Sequence, residues 1–262
     1  MSDTHSRTYG ALAADDHGAA GGPPLLLVHG LTFDRRQWGP VLRALDPDRR
    51  AVAVDLPGHG DSPPLQDFTL DDVAAAIHDA AAAAGLDAPI VVGHSLGGAL
   101  ATTYGARYPA RAVVNVDQPL LAGPFSQVLR EVEPLLRGPD WERVWARMLG
   151  GMGIDGLPAD AQELVRTATT PRQDLLLGYW DEVLTVPADE LDARRVEELR
   201  AIRERGVPYH YVTGAEPPPR FRAWLEAAVP DVAVTVLPGS GHFPHLAQPA
   251  AVARIASEAA AA

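Results

Sequence analysis

The stretch Pro89-Ile90-Val91-Val92-Gly93-His94-Ser95-Leu96-Gly97-Gly98-Ala99-Leu100 constrains this chain more than any other. A β-branched apolar run enters Gly-His-Ser-Leu-Gly, and small residues at helical spacing leave it, which predicts a strand, a sharp turn and a helix. A serine on such a turn takes a strained backbone conformation. Its neighbours two positions away, Gly93 and Gly97, must then be small so that strand and helix can approach. The hydroxyl is lifted above the sheet edge, and the helix N-terminus directs the Leu96 amide toward any anion forming there. The plainer alternative is a glycine-rich turn whose serine only caps the helix. No Gly-Lys-Ser/Thr follows the turn, which disfavours a phosphate-binding loop.

A chain of 262 residues with 47% hydrophobic content suits one large α/β domain carrying an insertion. The net charge of −12 argues against nucleic-acid and anionic-membrane partners and mainly favours solubility; the partner expected from the site residues below is a small-molecule substrate. Without cysteine there is no disulfide, thiol nucleophile or thiolate metal site, which fits the reducing cytoplasm; the serine chemistry of the site residues below is expected to need no metal and no cofactor. The first 22 residues show no signal pattern, and no apolar run approaches the ~20 residues of a membrane helix.

Alternating patterns run along the chain. Tyr9 to Ala14 suggests a first strand. Leu25-Leu26-Leu27-Val28 predicts a strand buried on both faces, ending in His29-Gly30-Leu31, where the Leu31 amide can serve as a second anion donor beside Leu96. His29 is read as bracing backbone. Asp34 to Leu45 has helical spacing and carries Trp38. Arg50 to Val54 predicts the next strand, and Asp55 and His59 in the following loop are read as loop-fixing residues. After the Ser95 turn and its helix, Ala112 to Val116 forms another strand, with Asp117 at its carboxyl edge.

Strand signals then vanish until residue 207. Helix patterns occupy Phe125 to Leu136, Trp141 to Leu149, Ala159 to Thr167, Gln173 to Val183 and Asp189 to Arg205. This predicts a helical cap over 119–206, inserted into a core of 1–118 and 207–262. Trp38, Trp141, Trp145, Tyr179 and Trp180 are candidate pocket residues. Strands return at Pro208 to Thr213 and Val232 to Leu237, and Gly241-His242 follows the last one.

A serine hydroxyl needs a base to take its proton and an acid to orient that base. His242 is the candidate base. Asp117 and Glu216, each just past a strand, both satisfy the chain order Ser, acid, His. Taken together, His29-Gly30-Leu31, Asp55-Leu56-Pro57-Gly58-His59-Gly60, Gly93 to Gly98 and Gly241-His242 resemble the α/β-hydrolase superfamily with a helical cap. The resemblance runs from about Leu25 onward. It implies a mostly parallel eight-stranded sheet with helices on both faces. Val116-Asp117-Gln118-Pro119 and Ala215-Glu216-Pro217 are similar to the haloalkane dehalogenase branch, which places the acid before the cap and so favours Asp117. The nucleophile position of that branch is aspartate, so its chemistry is not implied here.

These readings converge on a serine hydrolase acting on an ester-like bond through Ser95, His242 and Asp117, with Leu31 and Leu96 as oxyanion donors. Lactone hydrolysis, carbon–carbon bond hydrolysis and cofactor-free perhydrolysis remain open on the same residues. A small-molecule receptor that keeps the fold and signals through its lid is the alternative from another class.

Overall fold

The computed structural model describes residues 5–19 and 21–260. Its centre is an eight-stranded sheet in the order β1-β2-β4-β3-β5-β6-β7-β8. The strands are β1 (His5–Tyr9), β2 (Leu12–His17), β3 (Leu25–Val28), β4 (Ala51–Val54), β5 (Ile90–His94), β6 (Ala112–Val116), β7 (Tyr209–Thr213) and β8 (Ala233–Val236). From β4 to β8 every pairing is parallel, while β1 and β2 join as antiparallel additions at one edge. The single strand expected over Tyr9 to Ala14 is therefore corrected to a hairpin. Gly10, at φ 56°, turns the chain between Tyr9 and Leu12, which face each other in register.

The central strands read as unbroken apolar runs because both faces are covered. Alternate residues divide between two cores. Leu26, Val28, Val52, Val54, Val91 and Val113 join one cluster, and Leu25, Leu27, Ala51, Ala53, Ile90 and Val92 join the other. The second face is closed by α1 (Gly39–Ala44) together with α11 (Pro244–Ala247) and α12 (Pro249–Glu258). The first is covered by α2 (Leu70–Ala83), α3 (Leu96–Arg107) and α10 (Pro219–Ala228). Thr69 starts α2 by accepting a hydrogen bond from the Asp72 amide on its hydroxyl.

Between β6 and β7 lie six helices: α4 (Gly123–Leu136), α5 (Trp141–Gly150), α6 (Ala159–Thr167), α7 (Gln173–Tyr179), α8 (Asp181–Thr185) and α9 (Ala188–Glu204). The one helix expected over Gln173 to Val183 is two, broken at Trp180. The insertion is stitched to the core loops. Asp34 N–H donates to the Ala168 carbonyl and Thr170 N–H to the Thr32 carbonyl, while the Tyr179 hydroxyl donates to the Pro57 carbonyl. Its last helix, α9, doubles as the crossover that returns the chain to the sheet. Ile202 packs near Gly105 of α3, and the Arg205 guanidinium donates to the carbonyls of Gly105, Ala106 and Tyr108. Among the described residues, no helix is long and apolar enough to cross a membrane.

Candidate active site

Ser95 stands between β5 and α3 at φ 52° and ψ −125°, a conformation that L-residues rarely adopt. The surrounding glycines make this turn possible. A Cβ on Gly93 would sit 1.8 Å from the Gly97 carbonyl oxygen, and one on Gly97 would sit 2.2 Å from that of Val28. Strand and helix thus meet at a distance that no side chain permits. The Ser95 side chain makes no capping hydrogen bond, which removes the plain reading of this serine as a helix cap.

The loop after β3 closes over the turn from the other side. A Cβ on Gly30 would lie 3.3 Å from Ser95 Cβ and 3.0 Å from His94 Nδ1. This loop is held by buried imidazoles. His29 Nε2 accepts from the Leu56 amide at 2.9 Å, and His59 Nε2 accepts from the Thr32 amide at 3.0 Å. To accept, both rings must be neutral at those nitrogens. Burial lowers the His29 pKa to about 4 and, reinforced by the nearby His29, that of His59 to about 3. Asp55, fully buried, accepts from the amides of Arg35 and Asp61 and pairs with the Arg35 guanidinium. The expectation that His29, Asp55 and His59 organise loops is what the geometry displays.

Leu31 and Leu96 both line the cavity that opens over Ser95. Leu96 is the first residue of α3, so its N–H belongs to the helix-end groups without an intrahelical acceptor.

His242 arrives from the far end of the chain, in the loop between β8 and α11. Gly239 and Gly241, at φ 79° and 52°, bend that loop back over the strand ends. A Cβ on Gly214 would come within 2.0 Å of the Gly241 carbonyl oxygen, so the loop lies directly on the end of β7. His242 Nδ1 is 2.7 Å from Asp117 Oδ2. Asp117 itself has φ 57° at the end of β6, and its Oδ1 accepts from the Thr213 hydroxyl at 2.6 Å and the Gly214 amide at 3.3 Å. Glu216, the other candidate acid, is exposed and lies 3.7 Å from Arg222. The carboxylate that reaches His242 is that of Asp117.

Thr213 was not anticipated from the sequence, although a signal for it exists. Val116 and Val212 are in register across β6 and β7, so the residues that follow them, Asp117 and Thr213, emerge side by side at the same edge.

Ser95 and His242 share a cavity of about 840 Å³. Trp145, Tyr179 and Trp180 line it, together with Leu120, Met148 and Phe221. Trp38 does not. The short 3₁₀ turn Arg35–Trp38, capped by the Asp34 side chain, swings its ring under the sheet, where it is fully buried at 4.9 Å from the His245 ring. Its helical spacing marked a core face rather than a pocket wall. Trp141 is also outside the lining, packed partly buried against the core cluster at the start of α5.

A model of the Alpha/beta hydrolase family matches residues 25–255, nearly the whole length over which these loops and strands recur. The chain belongs to the Alpha/beta hydrolase family. Among its relatives is the 2-succinyl-6-hydroxy-2,4-cyclohexadiene-1-carboxylate synthase of Serratia proteamaculans (strain 568). The two are 26% identical over 247 residues, covering 90% of this chain and 92% of the relative. Of solved structures, an AqdC variant described for recognition and ring-cleavage of the Pseudomonas quinolone signal superimposes with a TM-score of 0.80. It is 22% identical and covers 99% of each chain. E-2-(acetamidomethylene)succinate hydrolase gives a TM-score of 0.77 at 22% identity, covering 99% of this chain and 100% of that one. At such identities the structural likeness speaks for the α/β-hydrolase fold. The reactions named for these family members differ among themselves, so the chemistry has to be argued from the side chains at the strand ends.

Proposed function

We propose that this protein is a serine hydrolase that cleaves an ester-like bond of a small, largely apolar substrate through an acyl-enzyme. One observation carries the reading: a serine held at φ 52° with no capping bond shares a cavity with a histidine whose Nδ1 is tied to a buried-edge carboxylate. Ser95 Oγ attacks the acyl carbon as His242 Nε2 takes its proton. The tetrahedral oxyanion is met by the amides of Leu31 and Leu96, the latter backed by the α3 dipole. Collapse breaks the bond to the leaving oxygen, which receives the proton from His242. A water activated by the same imidazole then attacks the acyl-serine, releasing the acid and regenerating Ser95. Asp117, through Nδ1–H, fixes the tautomer that leaves Nε2 free to accept and stabilises the imidazolium formed in each half-reaction.

The walls of the cavity support the substrate class. Leu31, Leu96, Trp145, Trp180 and Phe221 offer apolar contact, and the polar side chains in the lining include Gln118, Arg194, Arg195 and Arg220. Residues 119–206 act in this scheme as the cap that screens the site from water.

The test is turnover of short-chain p-nitrophenyl esters, paired with labelling by a fluorophosphonate probe. Burst kinetics and a covalent adduct on Ser95, both lost in Ser95→Ala, are the expected result. Wild-type protein that binds the probe's apolar portion yet neither turns over ester nor becomes labelled would instead favour a receptor.

A further inference from the structure

His94 lies inside the serine turn, yet the scheme above gives it no task. Its ring is fully buried beneath the site, with centroids 4.8 Å from that of His242 and 4.2 Å from that of His245. Its Nε2 lies 2.8 Å from the backbone carbonyl oxygen of His242. A carbonyl oxygen can only accept, so Nε2 carries the hydrogen and Nδ1 carries the lone pair. Nδ1 has no hydrogen-bond partner among the described residues and sits against Gly30, where a Cβ would come within 3.0 Å. The ring is therefore not a second base: its proton is committed to the carbonyl, and its other nitrogen faces backbone rather than the cavity. Burial, aided by the charges His245 and His242 would carry, keeps its pKa well below that of a free imidazole.

His242 needs outside support. The loop that bears it carries Gly239 and Gly241 just before His242, both in the left-handed region, and such residues restrain the backbone little. Two backbone anchors hold it. On one side its N–H donates to the carbonyl of Met152 at 3.0 Å; on the other its carbonyl accepts from His94, its sole hydrogen-bond donor among the described residues. The His94 anchor comes from the residue adjacent to Ser95.

We infer that His94 is a positioning residue: by donating Nε2–H to the His242 carbonyl it fixes the height of the base loop above the serine turn, and so the separation of nucleophile and base. Serine and histidine lie 147 positions apart in sequence, on loops from different strands. A single side chain rooted in one loop and bonded to the backbone of the other makes their spacing a local property. The inference rests on the reading of Ser95 and His242 as nucleophile and base.

The test compares three substitutions. His94→Gln places an amide N–H at nearly the reach of Nε2; His94→Asn keeps an amide but falls short; His94→Leu removes the donor. For a short-chain ester, Leu and Asn are expected to lower kcat about 10²-fold, the scale of an ångström-sized misplacement, with KM within about twofold of wild type. Gln is expected to recover most of the loss. In parallel, the low-field proton resonance of His242 Nδ1–H, shared with Asp117, should broaden or vanish in Leu and Asn and persist in Gln. This signal is read without turnover, so it tests the positioning role even if the wild-type protein hydrolyses no ester, an outcome that would overturn only the reaction proposed. Folded Leu or Asn variants with wild-type kcat and an intact resonance would overturn the inference. So would a Gln variant as impaired as Leu with the same thermal midpoint as wild type.

Discussion

Asp117, and not Glu216, is the carboxylate within hydrogen-bond reach of His242, and the reason is geometric. Strand β6 lies between β5 and β7, so a residue at its carboxyl end is next to the serine turn on one side and the Thr213–Gly214 edge on the other. Three donors converge on the Asp117 carboxylate, whereas Glu216 points to solvent near Arg222. Replacing Asp117 by Asn should cost about 10⁴ in kcat, because the amide no longer selects the Nδ1–H tautomer. Glu216→Gln should leave kcat within about twofold, and steady-state rates on one ester decide between them. At this scale the sequence spoke clearly where chemistry imposes a spacing. Gly93, Ser95 and Gly97 were legible because only glycine fits two of the three positions. Trp38 was not, since an aromatic at helical spacing looks the same whether its helix turns it toward a cavity or under a sheet. Nor was the part His94 plays legible, because a bond to a carbonyl 148 positions away leaves no local trace.

Elements carry the same lesson in their boundaries. The buried strands β3 to β6 were plain as apolar runs, and their parallel order followed from alternation with helices. The N-terminal hairpin was misread because Gly10-Ala11 is a minimal turn inside what scans as one strand. The break at Trp180 was missed since Leu175, Leu176, Tyr179 and Leu184 keep an apolar face on both sides of it. The strand-turn-helix unit at Ser95 makes a sharp prediction about packing. Gly93→Ala drives a methyl into the Gly97 carbonyl and should destabilise the fold by about 3 kcal/mol or more. Gly150→Ala, near the end of α5 with nothing within 4 Å of the added methyl, should instead gain up to about 1 kcal/mol from helix propensity. Urea denaturation midpoints of the two variants should move in opposite directions.

For the molecule as a whole, acid is the condition to which this fold should be most sensitive. His29, His59 and His245 are buried, with pKa values lowered by burial to about 4, 3 and 3, and His94 is lowered as well. The unfolded chain takes up protons on these residues below about pH 6.5, whereas the native state does not until far lower. The unfolded state then binds more protons, so stability rises with pH across that window and falls as pH drops from about 6.5 toward 4. Each such histidine adds a slope approaching about 1.4 kcal/mol per pH unit. His245 offers the cleanest check, because both of its ring nitrogens are buried without a hydrogen-bond partner among the described residues. His245→Phe should hold or raise stability at pH 7 and flatten the decline between pH 6 and 4.5 by one histidine's share. An unchanged slope in denaturation curves would count against it. The helix α9 bears on how the insertion and the core are tied together. It runs without interruption from Leu191, Arg194 and Arg195, which line the cavity, to Ile202, and its C-cap Arg205 is bonded to α3, the helix that follows Ser95. One rod thus joins the wall of the cavity to the helix that follows the serine turn. At residue 152 the insertion touches the base loop directly, since the Met152 carbonyl accepts from the His242 N–H. A shift of that stretch of the insertion is therefore passed on to the backbone of His242, so substitutions in the roof can be felt at the imidazole without touching it.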